Sequence, residues 1–456
     1  MNNSKLFAFL ITFLAYQFGY SQSAAVGPSS SGTKIGLQQA VDIALKNNIQ
    51  IKQTIVSAQN AELVLQQSKN NKLPSLNGYT GLSTNFGRGI DFISNTYTNQ
   101  TISNNNLGLN TDVVLYQGNL LQNTIKRNDL DLKASQQDMA AMKDNIAMQV
   151  VVAYLNILNN EDQLSIAQTQ SEITRQQLDR TEKLVRAGSL PQSNIYDIKA
   201  QLANEETTIV TSQSSLETAK LTLLQLMNDP NLQNIELERI IVNVPGADGY
   251  GSTATQVYDS AERYQPSIKA ADLRIESNIV GIKMAEAAFK PTLSFSGGLG
   301  SGYGSLGKNF LTGEKTGYFE QLSNNFSQNV GLNLNIPIFN KYANKTRLQQ
   351  SNLQKINAEL SAQSARQTLK QNIEQAYVNM NNAAKRYDAL AVQVSSLEES
   401  FRAAESRFNA GAIDFVNYNL QKTNLDKARA NQVQAKYDYV FRTKILDFYQ
   451  NKPLTF

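Results

Sequence analysis

The sequence predicts a mainly helical chain with membrane-type β-strands, built as two tandem copies of one helix–strand–strand–helix unit. Three observations predict this. A register of more than 100 residues recurs downstream, two short stretches in each copy alternate apolar with small polar residues, and each copy holds about seventy residues without an interior proline or glycine.

The repeat comes first, because a missed repeat misassigns the whole fold. Asn106-Leu-Gly-Leu-Asn110 matches Asn329-Val-Gly-Leu-Asn333 at an offset of 329 − 106 = 223. The same offset pairs Ala153-Tyr154 with Ala376-Tyr377, Ala187-Gly188 with Ala410-Gly411, Lys199 with Lys422, and Asn228 and Pro230 with Asn451 and Pro453. Upstream the offset is 217, pairing Ala44 with Ala261, Ile51-Lys52 with Ile268-Lys269 and Pro74 with Pro291. The difference of six falls in Gly/Ser/Asn-rich stretches, where a surface loop absorbs insertions.

In chain order, residues 1–23 read as a secretory signal peptide. Lys5 precedes the apolar run Leu6 to Ala15, and small or polar residues follow at Gly19, Ser21 and Ser23. An N-terminal segment, 24–36, leads into the first copy, 37–230. Its opening helix, Leu37 to Asn71, contains neither glycine nor proline and ends before Pro74. A linker is expected over 231–254. The second copy, 255–453, opens with a helix from Thr255 to Phe289, interrupted at Pro266 and Gly281.

Strands are expected at about 75–86 and 106–116, and at 292–301 and 329–339. Leu107, Leu109, Val113 and Leu115 alternate with Gly108, Asn110, Asp112 and Val114. Leu293 and Phe295 alternate with serines, and Val330, Leu332, Leu334 and Ile336 with Gly331, Asn333, Asn335 and Pro337. The polar side holds Gly, Ser and Asn with Asp112 its only charge, which favours a lipid-facing barrel wall over the half-buried sheet of a soluble domain. The apolar residues are therefore expected to face lipid.

Long helices are expected at about 119–187 and 341–410, each about 100 Å at 1.5 Å per residue. Leu130, Met139, Met142, Ile146, Val150, Leu155 and Leu158 recur near heptad spacing on an otherwise polar stretch, a coiled-coil pattern. Gly188 and Gly411 mark reversals into return helices at 192–227 and 415–450. Each return helix is half the length of its partner. Stacked end to end with the opening helix, it completes an antiparallel rod.

Composition narrows function by exclusion. The chain of 456 residues has no His, Cys or Trp, and 42 basic residues nearly balance 38 acidic ones for a net charge of +4. The usual zinc ligands and His- or Cys-based catalysis are absent, and no basic run would track a nucleic-acid backbone. An enzyme is disfavoured, and no metal or cofactor is implied. Gly302-Tyr-Gly-Ser-Leu-Gly307 fits a nucleotide-loop template, but no helical pattern opens after Lys308. Phe86, Phe92, Tyr97, Tyr303, Phe310 and Tyr318 suit an interfacial belt, a pore plug or ordinary loops, and the terminal Phe456 follows a helix.

Four strands cannot close a barrel, and open edges in lipid leave backbone groups unpaired. Closure needs several copies. Three give 12 strands, and two or four are also physically allowed. The rival reading is an exported coiled-coil scaffold or adhesin without a pore. It explains the rods but not alternating strands placed twice in register between helices.

Leu37-Gln-Gln-Ala-Val-Asp-Ile-Ala-Leu-Lys-Asn-Asn48, Leu73-Pro-Ser-Leu76, Leu334-Asn-Ile-Pro-Ile-Phe339 and Arg407-Phe-Asn-Ala-Gly411 carry a resemblance. With the duplication, the chain from about Leu37 to Pro453 resembles the TolC-like outer membrane efflux proteins. The resemblance implies a homotrimer with one 12-stranded barrel in the outer membrane, on a periplasmic α-helical tunnel. It also implies outer-membrane lipid, a periplasmic adaptor and an inner-membrane pump (RND, ABC or MFS type) as partners. Gly188, Leu190, Gly411 and Ile413 are then expected at the periplasmic tip that adaptors contact. The family's constriction aspartates fall at Asn417 and Leu420, with Asn194 and Asp197 as first-copy equivalents, so the acidic ring is not reproduced there. Asp197 or Asp414 is the candidate substitute.

Overall fold

The computed structural model describes residues 33–91, 96–240, 250–309 and 311–452. The signal peptide at 1–23, most of the segment 24–36, part of the linker, and Phe92, Phe310 and Phe456 lie outside the described residues.

Helices α1 (Leu37–Asn47) and α2 (Ile49–Asn70) replace the single opening helix expected from the sequence. The break has a local cause. Asn48 sits at φ −59° and ψ 131°, and its side chain accepts from the Gln50 and Ile51 amides, capping a new helix. The second copy breaks at the equivalent place, into α5 (Ala254–Tyr264) and α6 (Pro266–Ala287), with Pro266 in the first turn of α6. Gly281, by contrast, does not interrupt α6; its free flank admits the Arg127 guanidinium, 3.6 Å from where a Cβ would stand.

The long helices are α3 (Leu120–Arg186) and α8 (Ala343–Asn409), and the return helices are α4 (Ser193–Met227) and α9 (Phe415–Tyr449). In each copy the four helices have 11, 22, 67 and 35 residues. The opening and return helices meet end on. The Asn48 side-chain amide donates to the Leu226 carbonyl (3.3 Å), and that of Asn228 donates to the Asn47 carbonyl (3.3 Å). These two side-chain amides tie the helix ends together across the joint, each satisfying a terminal carbonyl.

The cores of the two copies correspond position by position. Ile146, Val150, Ala153 and Ile157 are buried in the first copy; Leu369, Ile373, Ala376 and Met380 are buried in the second. Ala40, Ala44 and Ile51 match Val257, Ala261 and Ile268 in the same way. Below this core the buried line is Leu164, Ala167, Ser171, Thr174 and Thr181, a heptad seam of mostly small residues. Met139 and Met142, expected in the seam, are only half-buried.

The linker and N-terminal segment are not plain connections. Strand β1 (Thr33–Ile35) pairs in parallel with β4 (Ile235–Leu237) at mid-rod. Buried Tyr154 fastens them: its hydroxyl donates to the Glu238 carbonyl (2.6 Å) and lies 3.2 Å from that of Ile35. Burial first, and then the Glu238 and Glu161 carboxylates, push this phenol up to about 12. The hydroxyl therefore stays a donor throughout the physiological range.

Strands β2 (Ser75–Asp91), β3 (Thr96–Gln117), β5 (Thr292–Gly304) and β6 (Ser327–Asn335) form one antiparallel sheet in the order β2-β3-β5-β6. The β2–β3 hairpin runs well past the expected ends at 86 and 106. Its outer part is mostly Thr, Asn, Gln and Gly, and its apolar members Ile90, Tyr97 and Ile102 are too scattered to show an alternation. Strand β6 stops short at Asn335, since Pro337 has no N–H to donate. Ile336 therefore lies beyond the strand, correcting its placement there. Leu115 is the extra residue of a β-bulge between Val114 and Tyr116, so Tyr116 rather than Leu115 stands opposite Leu293. A seven-residue helix, α7 (Tyr318–Asn324), packs by the outer end of β5.

Candidate functional site

Two regions bear on function: the sheet at one end of the rod and the paired turns at the other. In the sheet, register decides which side chains share a face. Leu76 lies opposite Thr111, which lies opposite Gly297, which lies opposite Val330. The neighbouring rows of that face hold Val113, Phe295 and Leu332; then Leu109 and Leu299; then Leu107; then Leu82. One face is thus apolar across all four strands, and Val330, Leu332, Leu334, Leu76 and Leu82 are exposed in the single chain. From Leu293 to Tyr303 the face spans about 34 Å of strand, or about 25 Å vertically at a 45° tilt, the height of a barrel's lipid band.

The opposite face carries Ser75, Asn77, Tyr79, Gly81 and Ser83 on β2, and Asn104, Asn106, Gly108, Asn110 and Asp112 on β3. Ser294, Ser296, Gly298, Gly300 and Gly302 continue it on β5, and Ser327, Asn329, Gly331 and Asn333 on β6. Glycine makes room here for the neighbouring strand's side chain. A Cβ on Gly298 would stand 2.5 Å from Asn329 Oδ1, and one on Gly302 would stand 2.7 Å from Asn106 Oδ1. On Gly108 it would meet the Leu299 carbonyl at 2.5 Å and the Tyr79 hydroxyl at 2.8 Å. The hydroxyl end of Tyr79 therefore lies over Gly108, an aromatic cover over a glycine backbone.

Gly302 and Gly304 belong to β5, and the next helix begins only at Tyr318, so the glycine-rich template there is strand and turn. Phe86 lies opposite Thr101 and Tyr97 opposite Ile90, which puts both aromatics on the apolar side of the hairpin. Tyr303 and Tyr318 pack against each other at a tilt of 53°, with centroids 5.0 Å apart.

At the far end, both long helices stop in the same way. The Gly188 amide donates to the Val185 carbonyl (2.9 Å) and the Ser189 amide to that of Leu184 (2.9 Å). The Gly411 amide donates to the Phe408 carbonyl (3.0 Å) and the Ala412 amide to that of Arg407 (2.8 Å). These are Schellman caps, with Gly188 at φ +75° and Gly411 at φ +72°. A Cβ at either glycine would meet nothing within 4 Å, so both turns project into open space.

The return helices start differently. Asp414 caps α9, its Oδ1 accepting from the Asn417 amide (2.9 Å) and from Asn417 Nδ2 (2.9 Å). The first copy has Pro191 at the equivalent place, and α4 lacks a side-chain cap. Asp414 is therefore engaged in its own helix, and Asn417 is turned back on it. Asp197 and Leu420 are exposed, Asn194 is half-buried, and Leu190 and Ile413 are partly covered.

Two features of the tip escaped the sequence reading. The first is an aromatic cluster. Phe401, Phe408 and Phe415 recur every seven residues, and Phe408 stacks on Tyr418 with centroids 4.8 Å apart. Ile198 of the first copy is wholly buried against them, with Ile413 and Leu178 alongside. The heptad of phenylalanines was the available signal.

The second is a buried ion cluster. Lys422, 4% exposed, lies in the α9 seam; its Nζ is 2.7 Å from Glu205 Oε1 on α4 and 3.3 Å from Asp426 Oδ2. Gln201 donates to the same Glu205 oxygen (2.9 Å), while Glu205 Oε2 has no hydrogen-bond partner among the described residues. Burial pushes the Asp426 carboxyl up, against the pull of Lys422. The repeat does not duplicate it: Ala428 of the second copy stands where the first has Glu205, and Ala203 of the first stands where the second has Asp426, so the cluster exists once. Among the described residues there is no group of acidic side chains that could hold a metal ion, and no helix long and apolar enough to cross a membrane.

Comparison with known proteins agrees with this architecture. The family model described as outer membrane efflux protein matches residues 40–229 and 257–446, one match per copy. The outer membrane protein TolC of Escherichia coli (strain K12) is 23% identical over 429 residues, covering 91% of this chain and 82% of that protein. Among solved structures, the Campylobacter jejuni CmeC outer membrane channel aligns with TM-score 0.76 at 19% identity, over 92% of this chain and 87% of that one. The outer-membrane channel OprN aligns with TM-score 0.74 at 19% identity, over 92% and 90%.

Proposed function

The chain belongs to the outer membrane efflux protein family and is an outer-membrane efflux channel, and from that premise we propose that it works as a homotrimer whose three four-stranded sheets close one 12-stranded barrel. The observation that carries this reading is the sheet's two-sidedness, apolar on one face and amide, hydroxyl and glycine on the other. Its outer strands β2 and β6 have open edges, and only pairing with further copies satisfies them in lipid. The rods then extend the lumen into the periplasm as a helical tunnel. Cargo passes through passively, delivered by a periplasmic adaptor and an inner-membrane pump.

The tip of the tunnel is assigned to Gly188, Leu190, Gly411 and Ile413 as adaptor contacts. Asn194, Asp197, Asp414, Asn417 and Leu420 are assigned to the constriction. Crosslinking of the purified chain should stop at a trimer, and bilayer recordings should show unitary conductance. Dimers or fibres without conductance would instead point to a scaffold.

The open surroundings of Gly411 give a specific expectation. Gly411→Glu is expected to impair export while trimers persist. A left-handed residue without a clash costs roughly 1–2 kcal/mol, too little to unfold a rod of this size. Gly411→Asn tolerates that conformation and should export nearly normally. Normal export by the glutamate variant would remove the tip from the adaptor contact.

A further inference from the structure

We infer that Asp112 sets the charge selectivity of the barrel wall, making it prefer cations. The inference rests on the trimeric-barrel reading and adds the residue that decides which ions that barrel favours. Register carries it. Asp112 lies opposite Ser75 on one side and Ser296 on the other, in the face made of asparagine, serine and glycine. Within the height of the apolar band, every other side chain on that face is neutral.

The carboxylate is exposed and enters no ion pair among the described residues. Lys290 and Lys341 lie outside the paired strands, on the helical side of the sheet. Amides and hydroxyls orient around either sign of ion and give no net preference. A single fixed charge per copy therefore determines the sign of the wall potential.

The magnitudes make the effect measurable. Twelve strands about 4.8 Å apart and tilted by about 40° close at a backbone radius of about 12 Å. The screening length is about 10 Å at 0.1 M salt and about 3 Å at 1 M. Three carboxylates at one level thus reach most of the lumen at low salt and only their own vicinity at high salt.

The test is the reversal potential of the purified, reconstituted full chain under a KCl gradient centred near 0.1 M. Wild type is expected to favour potassium. Asp112→Asn, nearly isosteric and solvent-facing, should lose most of that preference, and Asp112→Lys should move it towards chloride. Around 1 M the three proteins should converge. If both variants keep the wild-type reversal potential at low salt, the inference is overturned and the selectivity resides elsewhere; Asp197→Asn, measured in parallel, shows whether it resides at the tip. If wild type forms no conducting unit at all, the barrel reading fails first and takes this inference with it.

Discussion

Replacing Lys422 with alanine is expected to loosen the tip half of the rod by about 3–5 kcal/mol, the usual cost of removing one partner from a buried ion pair. The ammonium pairs with both Glu205 Oε1 and Asp426 Oδ2, and both Lys422 and Glu205 are over nine-tenths buried. Without it two carboxylates face each other away from water. Amide hydrogen exchange should report the loss directly, with protection in 198–210 and 415–428 falling more than about a hundredfold. Replacing Lys422, Glu205 and Asp426 together by leucine should restore most protection, because a packed apolar cluster is often as stable as the ions it replaces.

What the triple variant is expected to lose is uniqueness. A polar residue at one seam position fixes register in a coiled coil at some cost in stability. Here it is expected to fix α9 of the second copy against α4 of the first. Wild-type exchange in the Lys422→Ala protein would show that the cluster carries neither role.

Gly108→Ala is expected to prevent the sheet from pairing, and with it the assembly of the barrel. The added methyl would lie 2.5 Å from the Leu299 carbonyl on the next strand, and backbone cannot yield as a side-chain end can. Either the β3–β5 pairing opens at that point or Tyr79 leaves its place across the glycine. Each loses hydrogen bonds or cover at that point of the sheet. Gly81→Ala is the matched control, since its Cβ would meet nothing within 4 Å. Heat-modifiable migration of the purified trimers should vanish for the first and persist for the second. Equal trimer yield from both would mean that the strands do not approach as closely as described.

The larger architecture was legible because it rests on long periodic signals. Two proline-free runs became α3 and α8, and Gly188 and Gly411 became their caps. What was illegible is equally physical. The tip-half seam of Ala167, Ser171, Thr174 and Thr181 has heptad spacing but small or polar members, so an apolar pattern passes over it. Asn48 breaks a helix by capping, in a stretch where neither glycine nor proline gives warning. Strand β3 begins ten residues before its apolar alternation does, held there by backbone pairing alone. At the tip, Asp414 reads as a free carboxylate until Asn417 is seen to hold it. The partnership of Lys422 with Glu205 spans 217 residues of chain, and no local pattern announces it.

The equal helix lengths of the two copies have one more consequence, for how this chain can change by insertion or deletion. In the proposed tunnel both Schellman turns end level to form one rim. Deleting seven residues from one long helix alone would leave its turn about 10 Å short of the other. The same deletion would also be needed in the return helix antiparallel to it, or the seam would run out of phase. Shortening the tunnel by one heptad therefore requires four matched deletions, while the strand connections, where the copies already differ by six residues, can drift singly. The rod is a gauge cut twice to one measure, and its length is inherited as a single quantity.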